Sequence, residues 1–181
     1  MSADPRALDD LISGPLVTPV TRQALQERRE AASPEFTPSL FTPAEFALLE
    51  AVSAQLVPHD PVALPLARRI DARLADGESD GWRYDALPPD AQAYRQLLAS
   101  LPASFLASDA AAQVAALGTA QQDHPKIFEE LLAELTEGCY SQPAVQLGIG
   151  YVGFADAHGW TRTGLDQLDP NEAAALNGGR P

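Results

Sequence analysis

Phe41-Thr42-Pro43-Ala44-Glu45 constrains the fold more than any other stretch, because it commits the residues after it to a helix. Thr42 stands as a helix N-cap, Pro43 at the first helical position, and Glu45 three residues after the cap, which is the pattern of a capping box. Phe41 just before the cap and Phe46 at the fourth helical position are spaced for a hydrophobic staple. Phe46, Leu49, Val52 or Ser53, and Leu56 then recur every three or four residues and give one apolar face. The helix has to stop before Pro58, because a residue preceding proline avoids helical backbone. A proline-bounded loop, Pro58-His59-Asp60-Pro61, leads to a second helix from near Pro65 to Leu74, with Leu66, Ile70 and Leu74 spaced by four. Gly77 stops it, and residues 76–81 read as a solvated loop.

The same punctuation continues along the chain. Pro88-Pro89 opens a third helix whose face is Tyr94, Leu97 or Leu98, and Leu101. Pro102 breaks it before Phe105 and Leu106 resume the apolar pattern. Ser108 is placed to cap a fourth helix with Val114 and Leu117, ending near Gly118. A fifth opens at His124-Pro125 with Ile127, Phe128, Leu131, Leu132 and Leu135 on one side and Glu129, Glu130 and Glu134 toward the other. Gly138 weakens it, and Pro143 starts at most one further turn through Leu147. The sequence is rich in Ala and Leu and poor in Val and Ile, which favours helix over sheet. The fold class read from this is all-α, a single irregular helical domain of about five helices over 41–147.

The ends read differently. Residues 1–40 carry short apolar clusters among Pro5, Pro15, Pro19, Pro34 and Pro38, with a turn or two of helix around Leu8–Leu16 and another at Thr21–Glu30. They read as an extended N-terminal arm for docking a partner. Residues 148–181 intersperse glycines with Ile149, Tyr151, Val152, Phe154 and Trp160 and read as an irregular Gly/aromatic segment and tail.

Composition removes several functional classes. A net charge of −13, from 25 acidic and 12 basic residues, repels phosphate backbones and anionic membrane surfaces. No stretch approaches the roughly 18 apolar residues needed to span a bilayer. The N-terminus lacks the basic-then-apolar order of a secretory signal, and Arg28-Arg29 is followed by no apolar run, so a cytoplasmic location is expected. Cys139 is the single cysteine and has no base or cation beside it in sequence, which favours a buried structural thiol.

His59 beside Asp60 is the one pair that resembles an acid–base couple. Adjacent residues seldom face each other usefully, however, and Asp before Pro61 is an ordinary turn element, so a structural loop is the favoured reading. His59, His124 and His158 show no metal-ligand spacing. Glu129, Glu130, Glu134 and Glu137 lack the Glu-x-x-His pairing of a di-metal bundle and read as a solvated face. No catalytic, cofactor or metal residue is assigned. The residues placed at a partner interface are Leu11, Leu16, Tyr140, Gln142, Tyr151, Phe154 and Trp160, because aromatic and large apolar side chains concentrate at interface centres.

Phe41-Thr42-Pro43-Ala44-Glu45, the helix ending in Leu56-Val57-Pro58-His59-Asp60, Arg69-Ile70-Asp71, and Glu137-Gly138-Cys139-Tyr140-Ser141-Gln142-Pro143 together resemble the small-subunit family named after gluconate 2-dehydrogenase subunit 3. The resemblance covers roughly Leu40 to Phe154, through short and mostly structural motifs. It implies a non-catalytic small subunit without a cofactor of its own, bound to a large FAD-containing flavoprotein of the glucose-methanol-choline type that oxidises a sugar or sugar acid. In some members a cytochrome c subunit also takes part. The small subunit of that family stabilises or matures its partner, and in exported complexes it supplies a twin-arginine signal, which this sequence lacks, so the complex is expected to be cytoplasmic, or periplasmic if the partner carries the signal. Two alternatives stand beside this reading: a standalone acid–base enzyme using His59 and Asp60, and a homo-oligomeric scaffolding protein.

Overall fold

The computed structural model describes residues 5–29, 36–57, 59–61, 63–78, 87–151 and 157. Helices in chain order are α1 (Pro5–Ser13), α2 (Pro19–Arg29), α3 (Pro43–Leu56), α4 (Leu66–Ala75), α5 (Asp90–Ser100), α6 (Ala110–Asp123), α7 (Pro125–Tyr140) and α8 (Pro143–Gly148), with a 3-10 turn at Phe105–Ala107. No strand occurs among the described residues, and the all-α class holds. The chain forms two compact units, a core unit of residues 31–141 and a terminal unit of residues 1–30 with 142–181.

In the core unit α3 begins as its sequence dictates. The Thr42 hydroxyl accepts the Glu45 N–H at 3.3 Å, and the Glu45 carboxylate accepts the Thr42 N–H at 2.8 Å. This reciprocal bonding satisfies two of the donors that a helix start leaves without partners. Phe41 and Phe46 are both buried, and so are Leu49, Val52 and Ser53. α4 ends at Gly77, whose φ of 73° suits glycine, with Glu78 N–H on the Arg73 carbonyl and Gly77 N–H on the Leu74 carbonyl. That pair is a Schellman closure, and it stops the helix where the sequence places the stop. α3 packs on α4, α5, α6, α7 and the 3-10 turn, and Leu97, Leu98, Phe105, Leu131 and Leu135 are buried in the same unit. Each such side chain contributes about 1.5–3 kcal/mol relative to exposure. α7 passes α4 so closely that a Cβ on Gly138 would lie 3.3 Å from Leu66 Cδ2, so the glycine that weakens the helix also permits the contact.

Three sequence expectations are corrected. The cap of α6 is Asp109, whose Oδ1 accepts the Ala112 N–H at 2.9 Å, and not Ser108, whose hydroxyl donates to the Ser104 carbonyl. α6 does not end near Gly118 but continues to Asp123, carried by its Ala-rich neighbours, and Val114 is exposed instead of buried. Beyond Pro102, Phe105 is buried, while the 3-10 turn points Leu106 to solvent.

The terminal unit contains α1, α2 and α8, so residues 5–29 hold two regular helices where the sequence reads as an arm with short turns. Leu8, Ile12, Val17 and Leu25 form its own buried cluster, with Leu11 and Leu147 packed against it. Arg22 closes the end of α1. Its Nε donates to the Ile12 carbonyl at 2.9 Å, and Nη2 donates to the Gly14 and Val17 carbonyls at 3.0 and 3.2 Å. A helix end leaves such carbonyls without partners, and a guanidinium with several fixed donors satisfies three at once.

Candidate functional site

Three groupings of polar or exposed apolar side chains stand out, two in the core unit and one in the terminal unit. The first is built on Asp71. This aspartate is fully buried on α4, and its carboxylate accepts three consecutive main-chain N–H groups, Ser39 at 2.7 Å, Leu40 at 3.1 Å and Phe41 at 2.9 Å. Arg95 closes the same stretch from α5, donating to the Leu40 carbonyl at 2.6 Å and lying over the Phe41 ring at 5.6 Å. Buried carboxylates persist only when hydrogen-bonded, and here the partners are backbone donors that fix the chain entering α3. The arrangement is a latch for residues 39–41.

The second joins α4, α5 and α7. Arg73 meets Glu134 in a two-pronged pair, Nε to Oε1 at 2.7 Å and Nη2 to Oε2 at 2.8 Å, and Tyr94 Oη donates to Glu134 Oε2 at 2.5 Å. Asp90 Oδ2 lies 3.7 Å from Arg73 Nη1, which also donates to the Glu78 carbonyl. Burial of Tyr94, then the charge of Glu134 and its hydrogen bond, push the phenol pKa far up. Glu134 is therefore not part of a solvated face, as its sequence neighbours Glu129 and Glu137 are; it ties three helices together. No spacing rule on one helix reveals such a pair, because its partners lie 40 and 61 residues away.

His59 and Asp60 are each engaged with nearby backbone. His59 Nδ1 is hydrogen-bonded to the Val57 carbonyl. Asp60 Oδ1 accepts the Ala63 N–H at 3.4 Å, and the Asp60 carbonyl accepts the Leu64 N–H at 2.8 Å. These contacts fold the loop between α3 and α4. Cys139 is buried, which pushes its thiol pKa up and lowers its reactivity. Among the described residues no group of three or more His, Cys, Asp or Glu is placed to hold a metal ion. No helix among them is long and apolar enough to cross a membrane.

The third grouping is apolar. Four of the seven exposed large hydrophobic side chains among the described residues stand on the terminal unit: Leu16 (45% exposed), Val20 (80%), Ile149 (51%) and Tyr151 (46%). Leu16 lies in the turn between α1 and α2, Val20 in the first turn of α2, and Ile149 and Tyr151 follow α8. α8 packs on α1, and the Ala157 N–H donates to the Leu16 carbonyl at 3.0 Å. Of the residues assigned to an interface from sequence, Leu16 and Tyr151 are exposed in this unit. Leu11 is half-buried against the unit's cluster, and Gln142 is buried at the start of α8. Tyr140 is 49% exposed at the end of α7. Phe154 and Trp160 lie outside the described residues. Val20 and Ile149 are additions that the structure makes. Val20 sits in a stretch whose prolines hide its helix, and Ile149 is one apolar residue among glycines, with no periodic pattern to mark it as exposed.

No protein-family model, no curated protein and no solved structure matches this chain.

Proposed function

We propose that this protein is a non-catalytic accessory subunit that binds an FAD-dependent sugar or glycoside dehydrogenase of the glucose-methanol-choline type and stabilises or matures it. The observation that carries the docking part of this reading is the exposed apolar set Leu16, Val20, Ile149 and Tyr151 on one small unit. A large apolar side chain in water gains by being covered, and such side chains anchor interfaces. The identity of the partner rests on the sequence resemblance alone. The FAD belongs to the partner, and this chain contributes no residue to it.

The mechanism is thermodynamic linkage. A subunit that binds only the folded, FAD-loaded partner raises that partner's stability by about 4 kcal/mol when its concentration is a thousandfold over the dissociation constant. A permanent interface of this kind buries about 2,000 Å² or more, so side chains beyond these four take part. Co-expression tests the reading. With this chain present, the dehydrogenase should accumulate with a higher FAD-to-protein ratio and a higher melting temperature than when expressed alone. Equal FAD loading and equal melting with and without this chain would reject it.

A further inference from the structure

The terminal unit is assembled from both ends of the chain, with α1 and α2 from one end and α8 from the other. These helices are 9, 11 and 6 residues long. Isolated helices shorter than about 12–15 residues are marginal in water, so none of the three is expected to stand alone. α1 and α2 are joined locally. Arg22 on α2 donates to the Ile12, Gly14 and Val17 carbonyls, and Leu8, Ile12, Val17 and Leu25 are buried together. α8 is held from the far end of the sequence: it packs on α1, Leu147 lies against the same buried cluster, and the Ala157 N–H donates to the Leu16 carbonyl at 3.0 Å. The Gln146, Ile149 and Tyr151 amides donate to the Gln142, Val145 and Gln146 carbonyls, so the backbone that follows α8 is folded onto it.

We propose that the terminal unit is a clasp: α1, α2 and α8 form and open as one cooperative element while the core unit stays folded, so the state of one chain end sets the state of the other. One small shared cluster serves all three helices, and segments with few buried apolar contacts open locally at a lower free energy than the body of a fold. Detaching α8 uncovers the side of the cluster that Leu147 covers, and detaching α1 strips α8 of the helix it packs on. Coupling of this kind is reciprocal. Whatever covers Ile149 and Tyr151, which are exposed just after α8, therefore also favours folded α1 and α2. Whatever captures α1 apart from α8 releases the segment that follows α8. The device acts with any partner of either end and does not depend on the flavoprotein reading.

Residue-resolved hydrogen exchange on the full chain alone tests the clasp. The hydrogen-bonded amides of α1, α2 and α8 are expected to share one opening equilibrium and to exchange about tenfold or more faster than those of α3 and α7. Leu147→Ala, a change confined to α8, should speed exchange in α1 and α2 by about tenfold and leave α3 and α7 unchanged. Leu147→Met, which nearly keeps the volume, should speed it far less. If Leu147→Ala speeds exchange in α8 alone, the two ends are independent and the proposal fails. It fails equally if α1, α2 and α8 exchange as slowly as α3 and α7, or if the variant speeds both units alike, because opening would then be global.

Discussion

The core unit and the terminal unit solve the same problem, a stable helical fold, with opposite allocations of side chains. Among the described residues of the core unit most large apolar side chains are covered, Leu106, Val114 and Tyr140 being exposed, and two polar groups that enter it are engaged, Asp71 with three N–H groups and Glu134 with Arg73 and Tyr94. Its helices start and stop on local signals, such as the Thr42 box, the Asp109 cap and the Gly77 closure. Among its described residues the terminal unit buries the cluster Leu8, Ile12, Val17 and Leu25 together with Pro143, has one arginine clamp, and leaves Leu16, Val20, Ile149 and Tyr151 facing water. A small unit assembled from both chain ends has little area to bury, and side chains left outside are available to something else. Among the described residues the core unit thus has the long-range polar ties, and the terminal unit carries four of the seven exposed large apolar side chains.

Asp71 is where this contrast meets its hardest trial. Asp71→Ala leaves three backbone donors without an acceptor, and at about 1–3 kcal/mol for each buried orphan the loss should be about 3 kcal/mol or more. We expect the melting transition to fall by about 10 °C or more, checked by calorimetry. A shift of a degree or two would show that the latch is dispensable. Ile12→Ala probes the other unit, where the loss should lie at the lower end of the usual large-to-small range, about 2 kcal/mol, because a small cluster relaxes around the gap. Hydrogen exchange should speed up in α1, α2 and α8 and stay slow in α3 and α7; equal loss in both sets would dissolve the contrast between the units.

Glu134→Gln removes the charge-assisted pair and should cost about 1–2 kcal/mol. The same cluster sets an alkaline limit. The folded Tyr94 phenol has its pKa raised above the ordinary 10.0, so the protonated form is favoured in the fold. Its stabilisation is complete below pH 10 and is lost as pH rises beyond it, because the unfolded phenol ionises while the folded one does not. Denaturant unfolding at pH 9 and 11 should show this fall, and a Tyr94→Phe variant should lose part of it. Smallest in stability is Val20→Asp, expected within about 0.5 kcal/mol of the parent because the residue is 80% exposed. Its effect should instead appear as weaker capture of the dehydrogenase; unchanged capture by a V20D/Y151D double variant would move the docking site elsewhere.

Most of the core unit is legible in the sequence because its determinants are local. A capping box, a proline before or after a helix, and a glycine at a stop act within one turn, so α3, α4, α5 and α7 emerge close to their observed ends. The cap of α6 is misread by one residue because Ser108 and Asp109 both suit the role, and only the geometry at Ala112 chooses. Glu134 and Asp71 escape because their partners are far apart in sequence, on two other helices for Glu134 and in the segment 39–41 entering α3 for Asp71. The candidate docking surface is half legible. Leu16 and Tyr151 follow from residue type, but Leu11 and Gln142 are drawn inward by neighbours that no spacing rule supplies.

Whether this chain works as the small subunit of a flavoprotein can be met head-on by isolating the tagged full chain from its native host at endogenous level. The eluate is scanned for flavin absorbance and resolved for a second chain. A stoichiometric larger partner carrying FAD is expected, with sugar-dependent bleaching of the flavin. A colourless eluate containing this chain alone, or a partner without flavin, would contradict the proposed role.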